Sequence, residues 1–353
     1  MEPFPFHRAQ DILKIPGLHG KKIFLVAGKN SLPQFMANRD LGMAIDKLNV
    51  EIFSDYSSNP KKEEGEKGAR LFREGQFDII LAIGGGSAID TAKLIKYFSH
   101  SDVPLIVIPT TCGTGSEATT FATFYEGQKK RSADHPDLLP NHVFLDPLLL
   151  KTLPQTIKGH TLSDSFCHAI ESYWNIHSTP ISRQWASQAI HLIVENYFLF
   201  MKGHGKDEEA LKASHLAGKA INLTKTTAAH ALSYSMTSLY GIPHGQAAAI
   251  SLPEFFVFHS KIKEETCQDE RGVLFVRERM KELKTLLKVK TSEQAKKTLI
   301  NIFKTFGLKT HLKELGIFDI SPLMDYGLHP DRLKNNPRKI TRADLDGLLR
   351  KIL

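Results

Sequence analysis

Asp164 and His168 stand four residues apart in TLSDSFCHAIESYW, a spacing that puts both on one face of a helix, one turn apart. His230 opens another helical stretch, AHALSYSM. His244 follows fourteen residues later in Gly241-Ile242-Pro243-His244-Gly245, a turn able to aim a side chain inward. One carboxylate and three imidazoles make an N3O donor set for a divalent metal. Imidazole suits iron, zinc, copper or nickel, and the carboxylate is compatible with iron or zinc. The alternative is a set of unrelated residues in a chain that has sixteen histidines. Spacing alone does not decide between the two.

Two turns could hold a nucleotide. Gly84-Gly85-Gly86-Ser87 separates an apolar run from a helix-like one. Glycines allow close approach of a ligand to the backbone. A helix starting at Ala88 or Ile89 would add unpaired N–H groups and a positive dipole end, a combination that holds phosphate or pyrophosphate. A tight turn with Ser87 as a plain N-cap is the other reading. The pattern is neither GxGxxG nor a Walker A loop. The second turn, PTTCGTGSE, carries the hydroxyls of Thr110, Thr111, Thr114 and Ser116. It suits a ribose, a phosphate or a nicotinamide amide, unless its hydroxyls satisfy the loop itself. Two such turns on consecutive strand–helix units point to a nucleotide site at the carboxyl edge of a parallel sheet.

The elements that must position these residues divide into two halves. Strand-like runs KIFLVA (22–27), VEIF (50–53), FDIILAI (77–83) and LIVI (105–108) alternate with helix-like stretches such as 63–74 and 88–98. That pattern predicts a parallel sheet with helices on both faces. After about Pro154 strand signals become rare. Helical periodicity takes over at 162–172, 181–200, 208–223 and 228–240, then in basic helices to the C-terminus. The expected domains are therefore 1–154, α/β and dinucleotide-binding, and 155–353, helical.

Composition narrows the class. Hydrophobic residues are 41% and charged residues 24%, ordinary for a globular chain. No apolar run reaches the 18 or so residues of a membrane span, and MEPFPFHRAQDILKIPG has no apolar signal-peptide core. Three cysteines, Cys112, Cys167 and Cys267, are too few for a disulfide framework. A reduced, cytoplasmic setting is expected. The net charge of +8 gathers in the stretch 271–315, where Lys and Arg alternate with apolar residues. That is the pattern of amphipathic helices with a solvated basic face. No nucleic-acid motif accompanies it, so no nucleic-acid or membrane partner is expected.

GGGSAIDTAK (84–93), PTTCGTGSE (109–117), DSFCHAIESYW (164–174) and KTTAAHALSYSMTSLYGIPHG (225–245) occur in the order seen in iron-containing (group III) alcohol dehydrogenases. The chain resembles that family over nearly its whole length, through the terminal NPRKITRADLDGLLRKIL. The resemblance implies an N-terminal dinucleotide-binding α/β domain, a helical metal- and substrate-binding domain, and an active site in the cleft. It carries over Asp164, His168, His230 and His244 as ligands of a divalent metal, ferrous iron first and zinc second. Gly85, Gly86 and Ser87 match the pyrophosphate turn. Thr110, Thr111, Thr114 and Ser116 match the second cofactor loop, and Lys130 falls near the nicotinamide ribose. It also implies a homo-oligomer acting on a small aldehyde or alcohol.

Two departures stand out. Where many members have a second histidine one turn after the third ligand, this chain has Tyr234, the expected catalytic proton donor, with a water chain as the alternative. The first strand of the family pattern, at the N-terminus, is weak or absent. The KTTAAHALSY and GIPHG segments resemble a subgroup that reduces phosphonoacetaldehyde to 2-hydroxyethylphosphonate. The cluster Lys129-Lys130-Arg131, expected on a loop, would receive an anionic substrate. The expected function is metal-dependent, NAD(P)H-linked alcohol dehydrogenase or aldehyde reductase. The alternatives are a lyase resembling dehydroquinate synthase and a non-enzymatic nucleotide-binding protein. For the cofactor, Gly28 after the first strand leaves room for a 2′-phosphate, with Lys29, Asn30 and Ser31 as donors. That favours NADP(H). Asp55, after the second strand, would favour NAD(H) if it reached the ribose.

Overall fold

The computed structural model describes residues 8–29, 31–127, 129–326 and 330–353. Asn30 lies outside the described residues. Two compact units divide the chain, Met1–Leu153 and Pro154–Leu353.

In the first unit, β1 (Lys22–Ala27), β2 (Asn49–Phe53), β3 (Ile79–Gly84), β4 (Leu105–Pro109) and a short strand, His142–Val143, form one sheet. Every pairing in it is parallel, in the order β2-β1-β3-β4 with the short strand last. The expected strands are present to within two residues at each end. Because β-strand side chains alternate, Ile23, Leu25, Leu81 and Ile83 enter one core, with Phe35, Leu41 and Ile45 from helices α1 (Leu32–Met36) and α2 (Arg39–Ile45). Phe24, Val26, Ile80 and Ala82 enter the other, with Phe72, Ile89 and Ile95 from α3 (Lys62–Gly75) and α4 (Gly86–Ser99). Burial on both faces explains why these strands read as unbroken apolar runs. Before β1, the described residues hold only a 3-10 turn, Ala9–Lys14.

A hairpin not read from the sequence follows β4. Its strands, β5 (Phe121–Glu126) and β6 (Lys129–Asp134), pair antiparallel. Lys129, Lys130 and Arg131 therefore lie on a strand and not on a loop. Alternation sends Lys130 to the face opposite the other two, and it is half-buried while they are exposed. Arg131 also pairs with Glu126. The three charges do not converge on one point.

The second unit is built of helices, with one isolated bridge between Cys267 and Arg338 among its described residues: α5 (Gln155–Trp174), α6 (Pro180–Met201), α7 (Asp207–Thr224), α8 (Ala228–Tyr240), α9 (His244–Ser260), α10 (Val273–Leu286), α11 (Ser292–Thr305) and three shorter C-terminal helices. α5 is buried at every residue from Leu162 to Trp174, and α9 from Gly245 to His259. Such all-round burial needs close helix contacts. At Gly159 a β-carbon would fall 2.0 Å from the Phe306 carbonyl oxygen, and at Gly245 one would fall 1.9 Å from that of His160. Only glycine allows these backbones to approach so near. Among the described residues, no helix is long and apolar enough to cross a membrane.

Candidate metal centre and cofactor turns

Three helices deliver the four predicted donors. Asp164 and His168 lie one turn apart on α5, His230 is the third residue of α8, and His244 is the first of α9. Gly241 takes a left-handed φ of 65° to end α8, and Pro243 is the N-cap of α9, which swings His244 back toward α8. Asp164 Oδ1 lies 3.2 Å from His230 Nε2, 3.9 Å from His168 Nε2 and 4.0 Å from His244 Nε2. The rings of His168 and His230 stack at 4.4 Å. Tetrahedral donors at bond lengths of about 2.1 Å stand about 3.4 Å apart. Asp164, His168 and His230 therefore fit a divalent ion, their ligand atoms all within 4.8 Å of one another, with a hard carboxylate oxygen and borderline imidazole nitrogens as iron or zinc require; His244 stands just outside that group of three. Asp164, His168 and His230 are buried, whereas the His244 side chain is 28% exposed, which makes it the solvent edge of the group.

Two further residues orient the imidazoles, and both were missed in the sequence. Glu171, fully buried on α5, accepts from His230 Nδ1. An ionised carboxylate only accepts, so Nδ1 carries the proton and Nε2 is turned to the donor set. Glu171 also accepts from Thr227 Oγ1 at 2.5 Å and from the amides of Thr227 and Ala229 at 3.2 and 3.0 Å. Ser233 donates to the His230 carbonyl at 2.7 Å, so at 3.2 Å it accepts from His244 Nδ1, again leaving Nε2 as the donor. Each supporting residue lies three positions after a predicted ligand, Glu171 after His168 and Ser233 after His230. Helical spacing was the available signal.

Electrostatics follow from this packing. Burial opposes ionisation of Asp164, but His168, His244 and His230 outweigh it and hold the carboxyl well below the usual range. Glu171 is held low in the same way by His230 and Thr227. For His230, burial disfavours the imidazolium, and the carboxylates of Glu171 and Asp164 overcome this and push it up to about 10.

In the first unit, Gly84 at the end of β3 and Pro109 at the end of β4 are level in the sheet, so the two turns are neighbours. The Thr110 amide donates to the Gly84 carbonyl at 3.0 Å. Gly85 is the N-cap of α4, which starts at Gly86, two or three residues earlier than expected. Ser87 is therefore inside the helix, and its hydroxyl donates to the Ser58 carbonyl and caps nothing. A β-carbon at Gly86 would fall 2.5 Å from Thr114 Cγ2, and one at Gly85 would fall 3.1 Å from Thr111 Cγ2. The glycines let the second turn lie against the first, with the α4 N-terminus beside it.

Asp90 and Lys93, both inside GGGSAIDTAK, hold that second turn. Lys93 is fully buried and donates to the carbonyls of Ser116, Thr119 and Phe121 at 2.5, 2.7 and 3.0 Å. Asp90 accepts from the Ser116 hydroxyl and from the Thr123 amide, the latter at 3.0 Å. The Ser116 hydroxyl is thus spent on Asp90, and Thr114 Oγ1 accepts from the Ser116 amide at 3.2 Å. Lys130, half-buried on β6, acts electrostatically on Asp90.

Two family models cover the chain: iron-containing alcohol dehydrogenase at residues 7–147, and the C-terminal part of the Fe-containing alcohol dehydrogenase family at 159–353. An NADPH-dependent butanol dehydrogenase of Clostridium saccharobutylicum is 30% identical over 349 residues, covering 91% of this chain and 84% of that protein. A phosphonoacetaldehyde reductase of Streptomyces viridochromogenes is 29% identical over 310 residues, covering 80% of this chain and 78% of that one. The crystal structure of a sulfoacetaldehyde reductase from Bifidobacterium kashiwanohense in complex with NAD+ superposes with a TM-score of 0.83 at 28% identity, covering 99% of this chain and 96% of that one. The chain belongs to the iron-containing alcohol dehydrogenase family. It is an NAD(P)-dependent oxidoreductase of the alcohol dehydrogenase class, with the fold expected from its sequence.

Proposed function

We propose that the protein interconverts a short aldehyde and its primary alcohol, using NAD(P)H and a divalent metal held by Asp164, His168, His230 and His244. The observation that carries this reading is the approach of three imidazole Nε2 atoms to one carboxylate oxygen, at 3.2 to 4.0 Å. When bound there, ferrous iron or zinc supplies Lewis-acid polarisation of a carbonyl oxygen. Glu171 and Ser233 keep two of the imidazoles in the tautomer such an ion needs. The unit 1–154 takes the dinucleotide, its pyrophosphate at the α4 N-terminus against Gly85 and Gly86. Thr110, Thr111 and Thr114 line the adjoining turn, and Ser116, Asp90 and Lys93 hold it in shape. When bound, the nicotinamide would supply the hydride for the carbonyl carbon, and the carbonyl oxygen would then need a proton. We assign that proton to Tyr234 Oη, whose ring stacks on His244 at 6.0 Å.

Phosphonoacetaldehyde is the first substrate to test. The support is the KTTAAHALSY and GIPHG resemblance and the name of the Streptomyces relative. The dispersal of Lys129, Lys130 and Arg131 along β6 removes the expected anion pocket as support. The protein is further proposed to work as a homo-oligomer without nucleic acid, which sedimentation of the purified chain would check.

The test is an aldehyde panel, phosphonoacetaldehyde beside neutral short-chain aldehydes, with NADH and NADPH on iron-loaded protein. Net cofactor oxidation with at least one aldehyde is expected. Its absence across the panel, with metal and dinucleotide both bound, would defeat the reading. A lyase of the dehydroquinate synthase kind would show no net cofactor turnover.

A further inference from the structure

The carboxyl ends of β1 and β2 are adjacent, with Val26 paired to Phe53. The sheet order reverses direction between β1 and β3, so a dinucleotide seated at that switch point would lay its adenosine ribose toward β1 and β2. Gly28 follows β1, and Asp55 lies two residues past β2.

Gly28 does not provide the open space expected of it. A β-carbon there would fall 2.8 Å from Ser31 Oγ and 3.4 Å from Tyr56 Oη, and the Ser31 hydroxyl donates to the Gly28 carbonyl at 3.3 Å. Charge at this corner comes from elsewhere. Lys67 of α3 reaches Asp55 Oδ2 at 2.5 Å, and Lys29 reaches Asp55 Oδ1 at 3.6 Å. Two ammonium groups from different elements thus meet at one anion. Both carboxylate oxygens that could accept from ribose hydroxyls are engaged by lysine. Lys67 first and Lys29 second hold Asp55 below the ordinary carboxylate range.

We propose that Lys67 and Lys29 form the receptor for the 2′-phosphate of NADP(H), with Asp55 as its internal counter-anion. The phosphate displaces the carboxylate, and this exchange selects NADP(H) over NAD(H). The inference rests on the dinucleotide reading above. A phosphate brings more charge and more acceptor oxygens than the carboxylate it replaces. All three side chains are about half exposed or more, and ion pairs this exposed are weak and open at little cost. Ribose hydroxyls alone have no charge with which to pull the lysines away from Asp55.

The test is equilibrium binding of NADP+ and NAD+ to the full chain by titration calorimetry, for wild type, Lys67→Gln, Lys29→Gln and Asp55→Asn. Wild type should bind NADP+ more tightly, with an affinity that falls more steeply with salt than that for NAD+. Lys67→Gln should lower NADP+ affinity about tenfold or more, as loss of a charge-assisted bond implies, and leave NAD+ nearly unchanged. Asp55→Asn should raise NADP+ affinity, since the lysines then have no competing partner. Equal effects of Lys67→Gln on both dinucleotides, or no effect on either, would overturn the proposal. So would a loss of NAD+ binding alone in Asp55→Asn, the result expected if Asp55 held the ribose. Equal wild-type affinities would overturn the selection and leave the dinucleotide reading standing, whereas binding of neither would overturn both.

Discussion

The Nδ1–H of His230 donates to Glu171, a fully buried carboxylate that also collects the Thr227 hydroxyl and the amides of Thr227 and Ala229. Glu171 supports a donor without belonging to the donor set. Glu171→Gln should weaken metal affinity about 10- to 100-fold, the range typical of such supporting partners. His230→Ala or His244→Ala should remove most of the metal outright, with the fold intact by circular dichroism. Metal analysis after dialysis against a graded chelator separates the two outcomes. Full occupancy in both alanine variants would refute the ligand assignment.

Metal loading should release a proton. His230 lies between two carboxylates that push it up to about 10 in the metal-free protein, so at neutral pH an incoming ion must displace a proton from Nε2. Metal affinity should therefore rise with pH up to about 10. Calorimetry in two buffers of different ionisation enthalpy should count about one proton released per ion at pH 7. Stability of the metal-free chain runs the other way. A raised folded-state value stabilises fully below the unfolded imidazole value of about 6.5, and that contribution fades as pH climbs through about 10.

Gly86→Val should weaken dinucleotide binding and leave metal content unchanged. A β-carbon at Gly86 would fall 2.5 Å from Thr114 Cγ2, so the variant must push the second turn off the first. Fluorescence titration with dinucleotide, beside metal analysis of the same sample, checks this. Retention of wild-type dinucleotide affinity in the folded variant would take this turn out of the site.

Tyr234→Phe should keep the metal, because its ring packs on His244 without its hydroxyl being a ligand. Turnover should fall by about 10²-fold, the lower end for loss of a positioned proton donor, with KM little changed. Wild-type kcat across the pH range would assign the proton to water.

Elements built on apolar burial were legible, and those built on polar contacts were not. KIFLVA and FDIILAI read as strands because both of their faces are buried. The β6 segment KKRSAD is exposed at four of its six residues, on both faces, and has little apolar content, so it read as a loop. The four candidate metal donors were picked out by residue type, and the family resemblance, not their spacing, assigned them as ligands. Glu171 and Ser233 carry only their helical spacing after His168 and His230, since a glutamate or serine on a helix is ordinary until burial shows what it touches. The α4 start was misplaced for a related reason. Ser87 looked like a cap, whereas Gly85 takes the extended backbone conformation of one, with φ −78° and ψ −171°.

Gly245 stands against the His160 backbone with no room for a side chain, so α5 and α9 are clamped together beside His244 by packing alone. The donors are gathered by the bundle and not by the ion, unlike small zinc modules that unfold when stripped. A chelator should therefore leave a folded, empty vessel that refills without refolding. Which metal occupies it then follows ligand type, geometry and supply more than raw affinity. The metal found in a purified sample will report on the growth medium as much as on the enzyme.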